Sequence, residues 1–516
     1  MSLSMTAAFS RDDKQPLTGP MLVLGAFVLA MANFMAILDT TIANVSVPNI
    51  AGGLAISPSE GTWVITSYSV AEAITVPLSG WLAARFGAVR VFCSAVIAFG
   101  VCSALCGLAP SLGVLVVFRI LQGFSGGPIM PLSQTLMMRI FPPEKRGVAM
   151  GLWSMTAVVG PIAGPLLGGI ICDNASWPWI FYINVPVAAG IFYMASRLMP
   201  RYELPLVKAP VDFVGLGLLV VWVGSLQIML DKGEEADWFN SPLIVCLAIV
   251  AAVGFAAFLI WELTHKHPIV ALRLFAVRAF ATCSAVMALT YGAFFGAVVL
   301  IPLWLQTSMG YNALWSGRVM AVQGVLAVLL SPVVGANIGK GDPRRFVFFG
   351  VMVIAVVMFI RAGLTTEANF WAITIPQIML GAGMPFFFIG LNTIALGSIS
   401  PEDTASGAGI LNFLRTTAGA FAVSLTTTSW SNASTSARVS LAGRLNTTAT
   451  LDQMQQGGMG AAQALSAVDQ LAQQQSVMLA TDSVFTAMSV ILVIAACSIW
   501  LAPRPTGPVS LGGGGH

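Results

Sequence analysis

Four ionisable side chains lie inside long apolar stretches of this sequence. Asp39 stands in LDTTIANVSVP (residues 38–48), within an apolar segment of about 21–47, and Glu72, Arg119 and Arg415 lie in later apolar segments. An aspartate at the centre of a membrane helix costs about 2.5 to 3.5 kcal/mol on insertion scales, so such a residue usually faces a cavity or a partner and has a function. An arginine cannot lose its proton there and needs an anion or water. The four residues are therefore candidates for moving protons or charged groups within a membrane.

The composition predicts elements that cross a membrane many times. The 516 residues are 57% hydrophobic and 9% charged, and their mean hydropathy is +0.86. Apolar runs of about 20 residues recur along the chain, which predicts an all-α polytopic membrane protein. The net charge of +3 is spread over short loops, so nucleic acid is not an expected partner. The seven cysteines form no CxxC pair and His265 and His267 lack further ligand types nearby, so we expect no metal site.

The apolar runs divide the chain into fourteen predicted helices, in groups of six, two and six. An N-terminal segment (1–20) precedes a six-helix bundle (21–199), a linker with two central helices (200–278), a second six-helix bundle (279–502) and a tail (503–516). Ala30-Met31-Ala32 imitates a signal-peptidase site, but the apolar run continues past it to Val47, long enough to span a membrane as an uncleaved helix. The predicted spans are about 21–47, 60–83, 89–109, 112–138, 147–171, 178–199, 212–230, 242–263, 279–307, 314–338, 344–363, 370–399, 404–430 and 483–502.

The basic residues orient these predicted helices. With the N-terminus inside, 17 of the 24 lysines and arginines fall in inner segments, 5 fall in outer segments, and 2 lie within helices. This excess satisfies the positive-inside rule, so we expect both termini in the cytoplasm.

One predicted outer connection, residues 434–481, is much longer than the others. It is rich in Gln, Ala, Ser and Thr, and its part from 453 to 475 has a composition compatible with a helix. A connection of this length between membrane helices is either a functional contact surface or a disordered segment, and the sequence leaves both open.

Five stretches resemble the signature stretches of the major facilitator superfamily. The similarity is to the fourteen-helix drug:proton antiporters of EmrB/QacA type, and WSMTAVVGP (153–161), SLQIMLDKG (225–233) and the terminal GGGGH are typical of the EmrB-like branch. The resemblance covers essentially the whole chain and implies two bundles that rock around a central cavity. The five stretches are LDTTIANVSVP, GWLAARFGAVR (80–90), FRILQGFSGGPIMP (118–131), GPIAGPLLGG (160–169) and SWPWIFYINVP (176–186).

The turn after helix 2 departs from the family pattern at one position. The resemblance assigns conformational roles in this turn to Gly80, Arg85, Gly87 and Arg90. Ala84 stands where many members carry an aspartate, so a lock built on that acid is not expected in this protein.

The stretch GPIAGPLLGG combines glycines and prolines in one helix. Three glycines recur at i, i+4 and i+8 and leave a strip without side chains along one face, which admits another backbone. The prolines remove hydrogen bonds and bend the helix. One interpretation of the strip is a seam where two helices pack tightly. The family resemblance implies a second, the antiporter motif that seals the pathway against leak. The two interpretations are compatible. The residues concerned are Gly160, Pro161, Gly164, Pro165, Gly168 and Gly169.

Depth along the predicted helices pairs the four ionisable residues. Asp39 lies about nine residues from the outer end of helix 1 and Arg119 about eight from that of helix 4, so both are roughly 12 to 14 Å deep. Because the family fold lines its cavity with both helices, we expect a direct or water-bridged pair, with a static structural ion pair as the alternative. Glu72 and Arg415 lie near mid-membrane on helices that the family fold packs together. We expect their contact to couple protonation to alternating access.

Substrate recognition is predicted from adaptable and polar side chains. Export of amphipathic compounds needs an apolar cavity that can adapt, which Met and Phe side chains provide, although most such residues in a membrane protein face lipid or the core. A few polar groups would orient the substrate. The candidates are Met384, Phe386, Phe387 and Phe388 of the stretch MPFFF, and Asn33, Thr40, Asn44 and Gln122.

These features predict a secondary transporter and not an enzyme. The sequence has no GxxxxGKS/T loop and no soluble domain that would hold a nucleotide, so the expected energy source is the proton gradient, without a cofactor. The resemblance implies export of hydrophobic or amphipathic drugs across a bacterial inner membrane, with a periplasmic membrane-fusion adaptor and an outer-membrane channel as partners. The alternatives are a proton-coupled symporter of the same superfamily and a non-transporting membrane receptor or scaffold.

Overall fold

The computed structural model describes residues 16–203, 206, 212–266, 268–311, 313–444, 456 and 460–504, and all regular secondary structure within them is helical. In this part of the chain twelve helices are long and apolar enough to cross a membrane, and a thirteenth is bent by 42° next to Pro161. The predicted all-α membrane fold is confirmed. The helices of the bundles and of the central pair are α1 Gly19–Leu54, α2 Trp63–Thr75 with Ser79–Phe86, α3 Ala88–Gly107, α4 Leu112–Ile140, α5 Arg146–Asn174, α6 Trp179–Leu198, α7 Phe213–Lys232, α8 Pro242–Thr264, α9 Arg278–Thr307, α10 Ala313–Asn337, α11 Pro343–Arg361, α12 Phe370–Gly397, α13 Thr404–Arg444 and α14 Ala461–Ser498; all but α2 are among the thirteen.

Helix α2 occupies the second predicted span but consists of two consecutive parts. The chain turns at residues 76–78, between Thr75 and Ser79. Pro77 lies in this turn, and a proline has no N–H to continue the hydrogen-bond ladder of a helix. Neither part alone is as long as a membrane crossing, which needs about 20 residues.

The helices pack as two groups of six with a central pair against them. In the first group α1 packs along α5, α2 along α4 and α3 along α6; in the second, α11 packs along α12 and α9 and α14 pack along α13. The groups meet where α5 contacts α10 and α12, and where α13 contacts α2 and α4. The end of the interface near Gly80, Gly147 and Gly335 is called the closed end below, because the backbones of the two groups touch there.

The central helix α7 bridges the two groups at the other end of the molecule. The Lys232 ammonium lies 2.6 Å from the Thr62 hydroxyl at the start of α2. The Ser424 hydroxyl of α13 donates to the Leu230 carbonyl at 3.0 Å. Helix α7 is therefore a wall shared by both bundles, and the central pair does more than lengthen the chain.

The long connection predicted over residues 434–481 is largely helical. Helix α13 continues to Arg444 and α14 already begins at Ala461, while residues 445–455 and 457–459 lie outside the described part. An ion pair of 2.5 Å between Arg438 and Asp469 joins the two extensions. The predicted spans were too short because hydropathy detects only the apolar length of a helix, and polar residues continue these two helices beyond it. We call residues 432–444 and 461–480 the hairpin extension.

The glycine strip of α5 lies against α1. A Cβ at Gly160 would be 2.4 Å from Ile37 Cγ2, and one at Gly164 would be 2.2 Å from Thr41 Oγ1 and 2.9 Å from the Thr41 backbone carbon. Gly168 faces Ile42, and a Cβ at Gly168 would be 3.1 Å from Ile42 Cγ1. Real Cβ atoms do not approach backbone this closely, so the strip permits a helix contact that no larger residue allows.

We predict that Gly164→Ala lowers the free energy of unfolding by about 1 to 3 kcal/mol, because overpacking forces α1 and α5 apart. Gly169→Ala is the matched control, since a Cβ at Gly169 meets nothing within 4 Å. The measurement is thermal unfolding of the purified protein in detergent. Equal melting temperatures for the two variants would contradict the claim that the contact between α1 and α5 requires glycine at position 164.

Candidate functional site

The Asp39 carboxylate is completely buried and has three side-chain donors. Arg119 Nη1 donates to its Oδ2 at 2.6 Å, while Gln122 Nε2 and Asn184 Nδ2 donate to its Oδ1 at 2.9 and 2.7 Å. Charged hydrogen bonds of this kind are stronger than neutral ones. The shared depth predicted from the sequence thus corresponds to a direct ion pair, and both charges are satisfied within the protein.

Besides Asp39, the Arg119 guanidinium contacts two oxygen acceptors and an aromatic ring. Its Nε donates to the Val64 carbonyl of α2 at 2.9 Å, and its Nη1 also donates to Gln122 Oε1 at 2.8 Å. The guanidinium carbon lies 4.2 Å from the centroid of the Tyr68 ring, within the range of a cation–π contact. Helices α1, α2, α4 and α6 therefore converge on one buried ion pair.

The sequence analysis missed Asn184 and Ser103. Asn184 Nδ2 also lies 3.2 Å from Ser103 Oγ, and Ser103 in turn donates to the Phe181 carbonyl at 2.8 Å. Both polar side chains are buried, at 1% and 0% exposure. The available signal was the single asparagine in the apolar stretch SWPWIFYINVP, because a buried amide in a membrane helix needs partners just as a charge does.

A cavity of about 390 Å³ lies between the two bundles, beside this ion pair. Its polar lining includes Arg119, Glu72 and Arg415, and its apolar lining includes Ile37 and Phe295. Helix α7 contributes Gln227, Leu230 and Asp231, and Glu234 follows from the turn after it. The cavity therefore extends towards the end of the molecule opposite the closed end, and its wall is partly apolar and partly charged.

Glu72 and Arg415 both line this cavity, on α2 and α13. The Tyr68 hydroxyl lies 3.5 Å from Glu72 Oε1, and Arg415 Nη2 lies 2.9 Å from Met130 Sδ. In the part of the chain that the structure describes, Glu72 and Arg415 do not form an ion pair with each other. The two charges share a cavity across the interface of the halves, as their depth indicated, but are not in contact in this conformation.

The candidate substrate residues separate into three groups. Thr40 and Asn44 line the cavity, whereas Gln122 belongs to the Asp39 network. Asn33 donates to the Thr156 hydroxyl at 2.5 Å and is fully buried. The stretch MPFFF is not part of the lining of this cavity in the described structure, and its substrate role stays a prediction. Met384, Phe387 and Phe388 are buried at 1%, 0% and 1% exposure, and Phe386 packs on Phe346 and Phe349 of α11.

The turn after α2 is fixed by a residue of the segment that follows α6, the last helix of the first bundle. Gly87 has φ +98°, and a Cβ there would be 2.6 Å from the Glu203 carboxyl carbon. The Glu203 carboxylate accepts from the backbone N–H groups of Val89 and Arg90 at 2.9 and 3.1 Å. An anion at a helix N-terminus is favourable there, so Glu203 secures the start of α3. Gly87 is needed for both its backbone angle and this close approach.

Two further residues of this turn differ in environment. Gly80 lies against α13, where a Cβ would be 2.6 Å from Ser406 Cα. The Arg85 guanidinium lies over the rings of Trp81 and Phe86, at 5.9 and 5.7 Å. Gly80 thus contacts the opposite bundle directly at the closed end.

Two bundles of membrane-spanning helices with a cavity and buried charges between them are the arrangement of a multi-span membrane transporter. Residues 29–423 match the family model of the Major Facilitator Superfamily. The chain belongs to this superfamily, and the family predicted from the sequence motifs is confirmed.

Curated relatives match over nearly the whole chain. The multidrug export protein EmrB of Escherichia coli (strain K12) is 41% identical over 515 residues, covering 98% of this chain and 100% of the relative. EmrB of Haemophilus influenzae is 42% identical over 499 residues, with 95% and 98% covered. The fatty acid resistance protein FarB of Neisseria gonorrhoeae is 40% identical over 509 residues, with 98% and 100% covered.

Among solved structures, the proton:xylose symporter XylE superposes with a TM-score of 0.58 at 14% identity, covering 94% of this chain and 96% of that chain. The human organic anion transporter MFSD10 superposes with a TM-score of 0.59 at 13% identity, covering 93% of this chain and 100% of that chain. At these identities the likeness concerns the fold alone.

We predict that Asp39→Asn lowers the free energy of unfolding by about 3 to 5 kcal/mol, because it leaves the buried Arg119 charge without an anion. The double variant Asp39→Asn/Arg119→Gln removes both charges and should recover much of the loss. Chemical denaturation in detergent measures both. Asp469→Asn breaks the exposed Arg438 pair and serves as the control, with an expected cost below about 1 kcal/mol. A double variant no more stable than Asp39→Asn alone would argue against an uncompensated Arg119 as the cause.

Proposed function

We propose that this protein is a proton-coupled antiporter that exports hydrophobic or amphipathic compounds by alternating access. The observation that carries the proposal is the pair of membrane charges, Glu72 and Arg415, on opposite walls of one cavity between the bundles. Export is supported by the names of the relatives, which are multidrug export and fatty acid resistance proteins. XylE, a symporter, shares only the fold, so the fold by itself does not decide the direction of transport.

The cavity wall suits compounds with apolar and polar parts. Ile37, Ile65, Leu230 and Phe295 supply apolar surface, while Thr40, Asn44 and Gln227 are among its polar side chains. A site of this kind binds mainly by burying apolar area and has few directional requirements, which permits many different substrates.

Proton and substrate are proposed to compete for the Glu72 and Arg415 pair. An ionised Glu72 attracts Arg415 across the cavity, whereas a proton on Glu72 or a substrate between the two side chains removes that attraction. Asp39 is sealed behind Arg119 in this conformation, whereas Glu72 lines the cavity opposite Arg415. The other carboxyls of the lining, Asp231 and Glu234, lie at the end of α7 and in the turn after it. We therefore propose Glu72 as the group that exchanges its proton with the cavity, with the Asp39–Arg119 pair as its fixed electrostatic neighbour.

The proton gradient supplies enough energy for this exchange without a cofactor. One charge moving through 100 mV releases about 2.3 kcal/mol, which corresponds to roughly a 50-fold concentration of a neutral substrate. The proposed location is the bacterial inner membrane, with both termini in the cytoplasm as the basic residues indicate. In this orientation the closed end faces the cytoplasm and the hairpin extension faces the periplasm.

The hairpin extension is the proposed contact surface for a periplasmic membrane-fusion adaptor that leads to an outer-membrane channel. It carries exposed apolar side chains, Val439 at 70% and Leu465 at 56% exposure. The apolar lengths of α13 and α14 are proposed to span the bilayer, which places the hairpin extension outside the membrane. A protein partner is therefore proposed to bury these two apolar side chains.

We predict that Glu72→Gln reduces substrate-triggered proton flux at least tenfold in proteoliposomes, because the amide cannot carry the proton. Flux is followed with an internal pH dye after adding each of a panel of hydrophobic compounds. Glu60→Gln is the matched control, since Glu60 is an exposed carboxylate before α2.

Normal proton flux in Glu72→Gln would remove Glu72 from the coupling step. Absence of flux with every compound in the unmodified protein would contradict antiport itself.

We predict that Val439→Gln/Leu465→Gln lowers drug resistance at least fourfold in cells that contain the adaptor, because the polar residues weaken the docking surface. The same variant should keep normal proton flux in proteoliposomes, where the protein acts alone. Phe239→Gln, at an apolar residue with 65% exposure in the turn between α7 and α8, is the control. Unchanged resistance in the hairpin variant would exclude these side chains from the contact.

A further inference from the structure

At the closed end of the molecule the two bundles are joined by contacts other than the ion pairs described above. The Arg119–Asp39, Arg344–Asp342 and Arg438–Asp469 ion pairs each lie within one bundle. The Lys232–Glu235 pair lies in the central region, and the Arg273–Asp403 pair joins the linker before α9 to the second bundle. Ala84 stands where the family resemblance would have supplied an acid. Glu203, the acid found in this turn, caps α3 of its own bundle. Other contacts must therefore hold the halves together here.

One set of these contacts is close approach of backbones. A Cβ at Gly147 of α5 would be 2.3 Å from the Gly335 carbonyl of α10, and one at Gly151 would be 2.8 Å from the Ser331 carbonyl. Such contacts give a tight fit but are not directional. They hold the two surfaces together without selecting a single register.

The directional contact is a cluster of three buried amides, Gln134, Asn392 and Asn412. Gln134 Nε2 of α4 donates to Asn392 Oδ1 of α12 at 2.9 Å. Asn412 Nδ2 of α13 donates to Gln134 Oε1 at 3.0 Å. Both ends of one amide in the first bundle are thus bonded to the second bundle, on two different helices.

The two partners of Gln134 are fixed on their own helices. Asn392 Nδ2 donates to the Phe388 carbonyl and Asn412 Nδ2 to the Ala408 carbonyl, both at 2.8 Å. The three side chains are 0%, 2% and 3% exposed. A buried amide that loses its partner incurs a desolvation cost, so the cluster favours the one arrangement that satisfies all three residues.

We propose that the Gln134–Asn392–Asn412 cluster is the lock that keeps the closed end shut while the cavity is open at the other end. Alternating access requires both bonds between the bundles to break. Amides do not titrate in the physiological range, so this lock is insensitive to pH, and control by protons is confined to the cavity. The proposal uses the alternating access of the proposed function but neither its substrate nor its proton coupling.

The test is a distance distribution across the closed end, by electron paramagnetic resonance between spin labels at Lys145 and Lys340. Both positions are exposed, one before α5 and the other after α10, in a variant whose seven native cysteines are replaced. We expect Gln134→Leu to raise the ratio of long to short distances at least tenfold, because it removes both hydrogen bonds between the bundles. Asn392 and Asn412 then keep only the bonds to their own helices. The measurement needs no substrate and no gradient, so its failure is distinguishable from failure of the proposed antiport.

Gln323→Leu is the matched control. Gln323 of α10 is 1% exposed, and neither its Oε1 nor its Nε2 has a hydrogen-bond partner in the described structure. This variant removes a buried amide of the same size without breaking a bond between the bundles, and we expect the unmodified distribution. A Gln134→Leu protein that keeps the short distance, or a Gln323→Leu protein that opens equally, would overturn the proposal.

Gln134→Glu provides a second, independent variant. A protonated carboxyl can still donate to Asn392 and accept from Asn412, but an ionised one has no proton to donate and faces the Asn392 oxygen. We expect its closed end to shut at low pH and open as pH rises, also in a Glu72→Gln background. A distribution in Gln134→Glu that does not change with pH would contradict the lock.

Discussion

The structure depends on the cost of a charge in an apolar medium. Asp39 and Arg119 would each be expensive alone within the membrane, and the protein meets this cost by surrounding the pair with fixed donors and acceptors from α1, α2, α4 and α6. Four helices are therefore held in one mutual arrangement by electrostatics, because removal of any partner leaves a buried charge incompletely solvated. The ion pair therefore connects these helices of the first bundle into one unit.

The interface between the bundles has different chemistry at its two ends. Around the cavity the opposed groups are ionisable, so a proton or a bound molecule can change the attraction between Glu72 and Arg415. At the closed end the opposed groups are amides and glycine backbones, which a change of protonation does not affect. Helix α7 contacts both bundles beside the cavity, through Lys232 and Leu230.

Sequence reasoning was most successful where one physical variable controls the outcome. Hydropathy located the crossing helices, and residue counting put Asp39 and Arg119 at one depth, because helix rise is constant. It was least successful where the answer depends on which side of a helix faces which neighbour. Phe387 and Phe388 are apolar enough for a cavity wall, yet they face the core of the second bundle. The continuation of α13 to Arg444 was missed, and residues 453–475 were left only as compatible with a helix, because polar helices carry no hydropathy signal.

By itself, the sequence determined the membrane class, the family and the buried charges, since these follow from composition, local order and short motifs. Only the tertiary structure decided the partners of those charges. Asn184 reaches Asp39 from 145 residues away, and Gln134 reaches Asn412 across 278 residues. Such contacts depend on helix rotation and on how the bundles meet, which no local pattern specifies. A buried amide is visible in the sequence, but its hydrogen-bond partner is known only when the helices are packed.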